Sequence, residues 1–203
     1  MISNQNLSKA SELTIRLLGL LEFQTELLIG RTSIDDAISA KHWPKTYDKK
    51  DGYGGWDWED LWSKYRLNKL CISIKTSDKV GALFCGRVSG DNVNIEYIQR
   101  NYDCEELKGN TAKITVVFSI FLAKILGKKL IKISNPAPKI VTHYSNILGK
   151  RIQTTCDKKG RCSLIECHVT DVLEHLSQSI KNNQDLLYLL SDSPEITNGS
   201  SSI

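Results

Sequence analysis

The sequence predicts an α/β fold built on a mixed, mostly antiparallel sheet flanked by helices. Three strand-like segments joined by tight turns follow one another over residues 70–100, and strands joined in this way pair antiparallel. A helix then lies between two further strands, which requires a parallel crossover. We expect a single domain over residues 1–190 with its core at about 70–169, helical additions at both ends and a disordered tail at 191–203.

The N-terminal residues show an apolar pattern at helical spacing. The pattern predicts a helix that begins near Ser8 or Ser11 and continues to Leu28. A short strand at 14–18, followed by a helix from Gly19, fits the same residues. Both alternatives stay open at this point, because periodicity alone does not separate them.

Two further helices are predicted before the first of the central strands. Ser33 and Asp36 resemble a capping box at the start of a short helix, and Asp57 is an N-cap for a helix over 58–66. The segment between these helices, 43–56, contains three glycines and two tyrosines, a composition typical of a surface loop.

The remaining elements follow from changes in hydrophobic period. The predicted strand at 93–100 has alternating side chains, and strict alternation places Glu96 on the face opposite Tyr97. The other predicted elements are strands at 70–75 and 80–88, a helix at 111–126, a strand at 130–134, a helix at 136–148, a hairpin of 151–156 with 161–169, and a polar helix around 172–190.

Charge is unevenly distributed along the chain. The formal net charge is +4, yet residues 108–161 contain 12 Lys and Arg against one acid, Asp157, so this segment carries +11 and the rest of the chain −7. Clustered basic residues indicate a partner that carries phosphates. A nucleic acid and a phosphorylated cofactor both fit that description.

The sequence shows neither a signal peptide nor a transmembrane segment. The longest apolar run, 114–123, is shorter than the roughly 20 residues that span a bilayer. We therefore expect a cytoplasmic protein without a membrane partner, whose six cysteines are mostly reduced. The grouping of Cys156, Cys162, Cys167 and His168 lacks the paired spacing of structural zinc sites, so no metal site is predicted and zinc is the minor alternative.

The turn before the long helix is a candidate anion site. Lys108-Gly109-Asn110 leads into a helix that begins at Thr111, and the first N–H groups of a helix, together with its positive end, suit a phosphate. Lys108 and Lys113 flank this turn. An ordinary helix start accounts for the same residues.

Over residues 70–169 the order and spacing of elements resemble the GNAT family of acyl-CoA-dependent N-acyltransferases. Within its loop motif, Glu106 stands where the family usually has Gln or Arg, and Thr111 where it has Gly or Ala. The segments that carry the resemblance are strand 93–100, the loop Glu106-Leu-Lys-Gly109-Asn-Thr111, helix 111–126, strand 130–134, Asn135-Pro136, and Tyr144 shortly before Gly149.

The resemblance implies transfer of an acyl group, most often acetyl, from acyl-CoA to an amine within a ternary complex. Tyr144 corresponds to the acid that protonates the leaving thiolate, and Glu96 is the candidate base, directly or through a water. A core tyrosine and a solvated glutamate are the alternative interpretations. The residues expected to bind the cofactor are Tyr97, Ile98, Lys108, Gly109, Asn110, Thr111, Ala112, Lys113 and Asn135.

The resemblance also implies that the loop 43–56, before the predicted helix over 58–66, shapes the acceptor pocket, and its acidic and aromatic residues suit a cationic amine. These residues are Tyr47, Asp51, Tyr53 and Trp56. The same loop also suits a surface for a protein partner, and the chain is expected to be a monomer or a homodimer.

Competing hypotheses are a nucleic-acid-directed GNAT-like protein, such as a toxin that acylates tRNA, and a non-catalytic interaction module. A covalent route through Cys85 or Cys104 lacks a neighbouring base.

Overall fold

A computed structural model describes residues 2–44, 55–67, 69–77, 79–136, 140–178, 180 and 184. Seven strands form one sheet in the order β1-β2-β3-β4-β5-β7-β6. The strands are β1 (Leu27–Arg31), β2 (Leu70–Thr76), β3 (Lys79–Ser89), β4 (Asn92–Arg100), β5 (Leu130–Ser134), β6 (Gln153–Cys156) and β7 (Cys162–His168). The helices are α1 (Asn4–Leu20), α2 (Ile34–Ser39), α3 (Trp58–Tyr65), α4 (Thr111–Ile125), α5 (Val141–Leu148) and α6 (Val169–Ser177). The predicted mixed, mostly antiparallel sheet is confirmed.

The N-terminal helix is shorter than the sequence pattern predicted. It is capped by Ser3, whose side chain accepts a hydrogen bond from the Asn6 N–H at 3.1 Å, and it ends at Leu20. Residues 27–31 form β1, which pairs antiparallel with β2. The predicted helix is therefore confirmed as far as Leu20, whereas its start near Ser8 or Ser11, its continuation to Leu28 and the alternative strand at 14–18 are wrong. Leu28 is 62% exposed between buried neighbours, so the final leucines follow a strand's alternation rather than a helical face.

Helices cover both faces of the sheet. On one face α1, α4, α5 and α6 contribute to a single apolar core, in which α4 is buried around almost its whole circumference. On the other face α2 and α3 enclose a smaller cluster with Trp43. The capping signals predicted for α2 and α3 are confirmed: Ser33 and Asp36 make both hydrogen bonds of a capping box, and Asp57 accepts from the Asp60 N–H at 3.0 Å.

The crossover through α4 is confirmed, because β4 and β5 pair in parallel from Asn92↔Leu130 to Ile95↔Ile133. Two predicted helices begin elsewhere. The α5 helix begins at Val141 rather than at Pro136, and α6 follows β7 directly at Val169. The described α6 ends at Ser177, and most of the predicted polar helix beyond it lies outside the described residues.

A β-bulge in β4 overturns the predicted orientation of two candidate site residues. Cys85 pairs with Tyr97 and Gly86 with Ile95, so Glu96 is an extra residue opposite that step of β3. The bulge changes the alternation, and Glu96 and Tyr97 both contact Tyr65 on α3. The prediction that they lie on opposite faces is wrong, because alternation holds only where a strand has no bulge.

Two of the six cysteines form a disulfide. Cys156 and Cys162 are bonded across the β6–β7 hairpin, which corrects the prediction for these two residues and removes both sulfurs as zinc ligands. The other four, Cys71, Cys85, Cys104 and Cys167, are free and buried.

None of the helices in the described part of the chain combines the length and apolar character that crossing a bilayer requires.

The bulge in β4 requires a glycine on the neighbouring strand. A Cβ atom on Gly86 would lie 2.1 Å from the Asn94 carbonyl oxygen, a backbone atom that cannot move aside alone. We expect Gly86→Ala to lower the free energy of unfolding by about 2 kcal/mol or more, measured by urea denaturation.

Gly30→Ala in β1 is the matched control, since a Cβ there meets nothing within 4 Å. Its effect should stay within about 0.5 kcal/mol. Equal stability of the two variants would contradict the close approach at Gly86.

Candidate active site

The described residues enclose a cavity at the place where β4 and β5 separate. Their parallel pairing ends at Ile95↔Ile133, while β4 continues to Arg100 along one wall of the cavity. The cavity has a volume of about 230 Å³. It is lined by Trp56, residues 95–100, Tyr102, Thr111, Ala112, residues 133–136, Ile140 and Tyr144.

This cavity takes its lining from both faces of the sheet. Tyr97 and Trp56 pack against the cluster of α2 and α3, whereas Ile95 and Tyr144 belong to the core beneath α4. The cavity therefore has one wall on the α4 side of the sheet and another on the α3 side. Such an arrangement suits a reaction between two substrates.

The N-terminus of α4 opens toward the cavity through Thr111 and Ala112. Gly109 takes a φ of +73°, a conformation that glycine adopts without strain, and Asn110 makes no side-chain cap hydrogen bond at the helix start. The first backbone N–H groups of α4 are thus left for another acceptor. The structure brings the predicted phosphate-binding turn to one end of the cavity.

The carboxylate of Glu106 is engaged within its own turn. Hydrogen bonds from its own backbone N–H and from the Cys104 thiol hold the pKa of Glu106 below its usual value. Lys108 forms an ion pair with Glu105 at 2.8 Å. The two acids of this turn are therefore bonded to neighbours in the segment that precedes α4.

Tyr144 lies on α5 with its side chain against the cavity. Only 5% of the residue is exposed, and its hydroxyl has no hydrogen-bond partner among the described residues. Burial raises the pKa of Tyr144, because the phenolate would lose its hydration. The hydroxyl therefore stays protonated at neutral pH and is available to a ligand.

Glu96 is held by three polar neighbours where the cavity meets α3. Its carboxylate accepts hydrogen bonds from the Tyr65 hydroxyl, from Arg87 Nε at 3.2 Å and from the Asn94 amide at 2.9 Å. Ser134 on β5 donates in turn to Asn94 at 3.0 Å. These contacts fix the position of the Glu96 carboxylate in the cavity wall.

Tyr65, Arg87 and Asn94 were not found by sequence reasoning. Tyr65 lies in the predicted helix over 58–66 and is buried, but its hydroxyl meets Glu96 only because of the bulge. A strand pattern gives no signal of a bulge of this kind.

The predicted acceptor loop is represented in the structure by Trp56. Its ring packs edge to face on Tyr97, with centroids 4.8 Å apart, and both residues line the cavity. Tyr47, Asp51 and Tyr53 lie outside the described residues. Of the four predicted acceptor residues, Trp56 is thus the one that the structure describes, and it lines the cavity.

The other predicted cofactor residues fall into two groups. Tyr97, Ile98, Thr111, Ala112 and Asn135 line the cavity. Lys108, Gly109, Asn110 and Lys113 belong to the turn before α4 and to its first turn. Across the described residues, no group of three or more His, Cys, Asp or Glu side chains is placed to hold a metal ion.

Comparison with solved structures identifies the fold. The ribosomal-protein-S18-alanine N-acetyltransferase from Escherichia coli matches at a TM-score of 0.50 and 15% identity, over 71% of this chain and 94% of that one. An acetyltransferase from Thermus thermophilus matches at 0.52 and 10% identity, over 72% and 98%. Mycobacterium smegmatis RimJ, solved with CoA-disulfide, matches at 0.52 and 10% identity, over 75% and 87%. The chain has the fold of GNAT-family acetyltransferases.

No protein-family model matches the sequence, and no curated protein matches it significantly. The likeness to acetyltransferases is therefore one of fold.

The contact between Tyr65 and Glu96 predicts a late-titrating tyrosine. Burial, with the hydrogen bond to Glu96, raises the pKa of Tyr65 to about 12. We expect the Tyr65→Phe variant to lack a titration phase near that pH. Phenolate absorbance after a rapid pH jump measures the titration. Since the folded-state pKa lies above the unfolded value, the contribution of Tyr65 to stability is constant below pH 10 and falls as the pH rises through the window up to about 12.

In the Tyr65→Phe variant, the free energy of unfolding should also fall less steeply as the pH rises through the same window. A variant that lost only absorbance titrating near pH 10, the ordinary value for tyrosine, would contradict the assigned contact.

Proposed function

We propose that the protein is an acyl-CoA-dependent N-acyltransferase that moves an acyl group, acetyl in the simplest case, to an amine. The observation that carries the proposal is the cavity between β4 and β5. It connects the open N-terminus of α4 with Tyr144 and Glu96. The amine attacks the thioester directly while both substrates are bound.

The cofactor's phosphates suit the N-terminus of α4. Backbone N–H groups of Thr111, Ala112 and Lys113 would cradle the pyrophosphate, and Gly109 allows a close approach of the backbone. Because these donors belong to the main chain, they do not depend on the departures at positions 106 and 111. Lys108, Asn110 and Lys113 would add polar contacts at the rim.

The pantetheine arm would lie along β4 beyond the last pair with β5. There Tyr97 and Ile98 on one strand and Asn135 on the other border the cavity. Strand edges offer backbone donors and acceptors that suit the amides of pantetheine. The thioester would then lie near the bulge, between Glu96 and Tyr144.

The reaction needs two proton transfers. As the amine nitrogen bonds to the thioester carbon, Glu96 accepts the amine proton, directly or through a water. When the C–S bond breaks, Tyr144 donates its hydroxyl proton to the sulfur. The raised pKa of Tyr144 keeps that proton in place until the thiolate forms.

A covalent route through a cysteine has less support. The Cys85 sulfur lies 3.1 Å from Cys71 in the buried sheet, and burial raises the pKa of the Cys85 thiol, which opposes the thiolate needed for attack.

The basic segment fits a cofactor better than a nucleic acid. Several of its charges are matched within the molecule, by the ion pairs Lys132–Glu166, Arg151–Asp171 and Arg161–Asp157. Those pairs reduce the positive charge open to a polyanion, whereas the N-terminus of α4 offers a local phosphate site.

The acceptor is proposed to be a cationic amine that enters from the α3 side. Trp56 and Tyr97 offer aromatic surfaces, and Glu96 offers a negative charge. Ammonium groups bind well to such combinations.

A carboxylate placed in the first turn of α4 tests the cofactor site. We expect Ala112→Glu to weaken acetyl-CoA binding about tenfold or more by repelling the phosphates, while a negative charge at a helix N-terminus leaves the fold intact or slightly stabilised. Isothermal titration calorimetry measures the binding and thermal unfolding the stability.

Ala112→Gln is the control of matched size without the charge and should bind acetyl-CoA like the parent chain. Absence of acetyl-CoA binding by the parent protein itself would overturn the proposed function.

Removal of the proposed acid and base tests the chemistry. We expect Tyr144→Phe and Glu96→Gln each to lower kcat about 100-fold, with little change in acetyl-CoA affinity. Release of free CoA thiol in the presence of an amine measures the rate.

Tyr102→Phe removes a hydroxyl from the same cavity and serves as the control, with kcat expected within about threefold of the parent. Undiminished turnover by Tyr144→Phe would show that another group protonates the sulfur.

A further inference from the structure

Gln99 is a buried amide in the wall of the cavity. The residue is 5% exposed and lies near the end of β4. Its Oε1 atom accepts a hydrogen bond from the Trp58 indole at 2.8 Å and another from the Trp56 backbone N–H at 3.3 Å. This single oxygen therefore ties both the start of α3 and the last residues of the preceding loop to β4.

These two bonds determine the orientation of the amide. An indole N–H and a backbone N–H are donors only, so the atom facing them must be the oxygen of Gln99. The Nε2 group remains, and it has no hydrogen-bond partner among the described residues. It is not among the fully buried side-chain atoms without a partner, so it keeps contact with the space of the cavity. Because Gln99 lines the cavity, a ligand there can supply the missing acceptor.

The position of Gln99 indicates which of the two substrates supplies this acceptor. Its partner Trp58 belongs to the cluster of α2 and α3, as does the ring of Tyr97, whereas the N-terminus of α4 adjoins the core on the other face. The free N–H groups of Gln99 therefore lie on the side assigned to the amine.

We propose that Gln99 determines acceptor specificity by donating from Nε2 to a carbonyl oxygen of the amine substrate. The inference rests on the proposed function and names its substrate class, an amine that bears an amide or peptide carbonyl. Tyr97 and Gln99 are two residues apart on one strand, about 7 Å. The recognised oxygen therefore lies several bonds from the reacting nitrogen.

Two acceptors and one conservative variant test the proposal. Alanyl-alaninamide carries carbonyl oxygens along its length, and hexylamine carries none. Gln99→Glu keeps an oxygen for both tryptophan donors but replaces the Nε2 donor with a second oxygen. We expect kcat/KM with acetyl-CoA to fall about tenfold or more for the dipeptide amide and to stay within about threefold for hexylamine.

The comparison uses the ratio of the two acceptors within each variant, so the different basicities of the two amines cancel. Trp58→Phe removes a bond to Oε1 without touching Nε2 and should keep the parent's preference. If Gln99→Glu does not fold, Gln99→Met combined with Trp58→Phe removes the donor and leaves no indole N–H unpaired. That double variant should lose the preference.

An unchanged acceptor ratio in the Gln99 variants overturns this inference, as does a parent protein with no preference for the dipeptide amide. If the parent also fails to bind acetyl-CoA, the proposed function has failed. If it binds acetyl-CoA and acetylates both amines without the expected ratio, only the role of Gln99 is wrong.

Discussion

The separation of β4 from β5 is the constraint on which the rest of the site depends. Their pairing stops at Ile95 and Ile133, and the bulge at Glu96 bends β4 at the same level. Gly86 permits the bulge, since any side chain there would meet the Asn94 carbonyl. Without this local departure from a regular ladder, the sheet would be closed and its two faces would not communicate.

Each side of the resulting cavity contributes a different kind of chemistry. Toward α4 it offers backbone N–H groups and the positive end of the helix dipole, and both attract phosphate groups. Toward α3 it offers a fixed carboxylate, aromatic rings and the amide of Gln99. Tyr144, buried and without a hydrogen-bond partner among the described residues, lines the cavity from the core beneath α4. Under the proposed function, this division would let one cavity hold the cofactor on one side and the amine on the other.

Sequence reasoning predicted those candidate site residues whose positions depend on local order. The turn at Gly109, the helix from Thr111 and the tyrosine at 144 follow from spacing and from a resemblance that rests on element order. It missed the partners of Glu96, because Tyr65 and Arg87 reach it only through the bulge. It also missed Gln99, whose importance lies in contacts with residues more than 40 positions away. The strand β1 was missed because two adjacent leucines fit a helix and a strand equally well.

The sequence by itself determined the class of fold, the crossover through α4 and the start of that helix after the turn at Gly109, because caps, hydrophobic period and turn residues act over a few neighbouring positions. Only the tertiary structure decided the orientation of Glu96, the pairing of Cys156 with Cys162 and the free donor of Gln99. Each of these depends on register between strands or on a contact between segments distant in the chain. A shift of one residue in register turns a side chain to the other face, and the hydrophobic pattern does not reveal such a shift inside a strand buried on both sides.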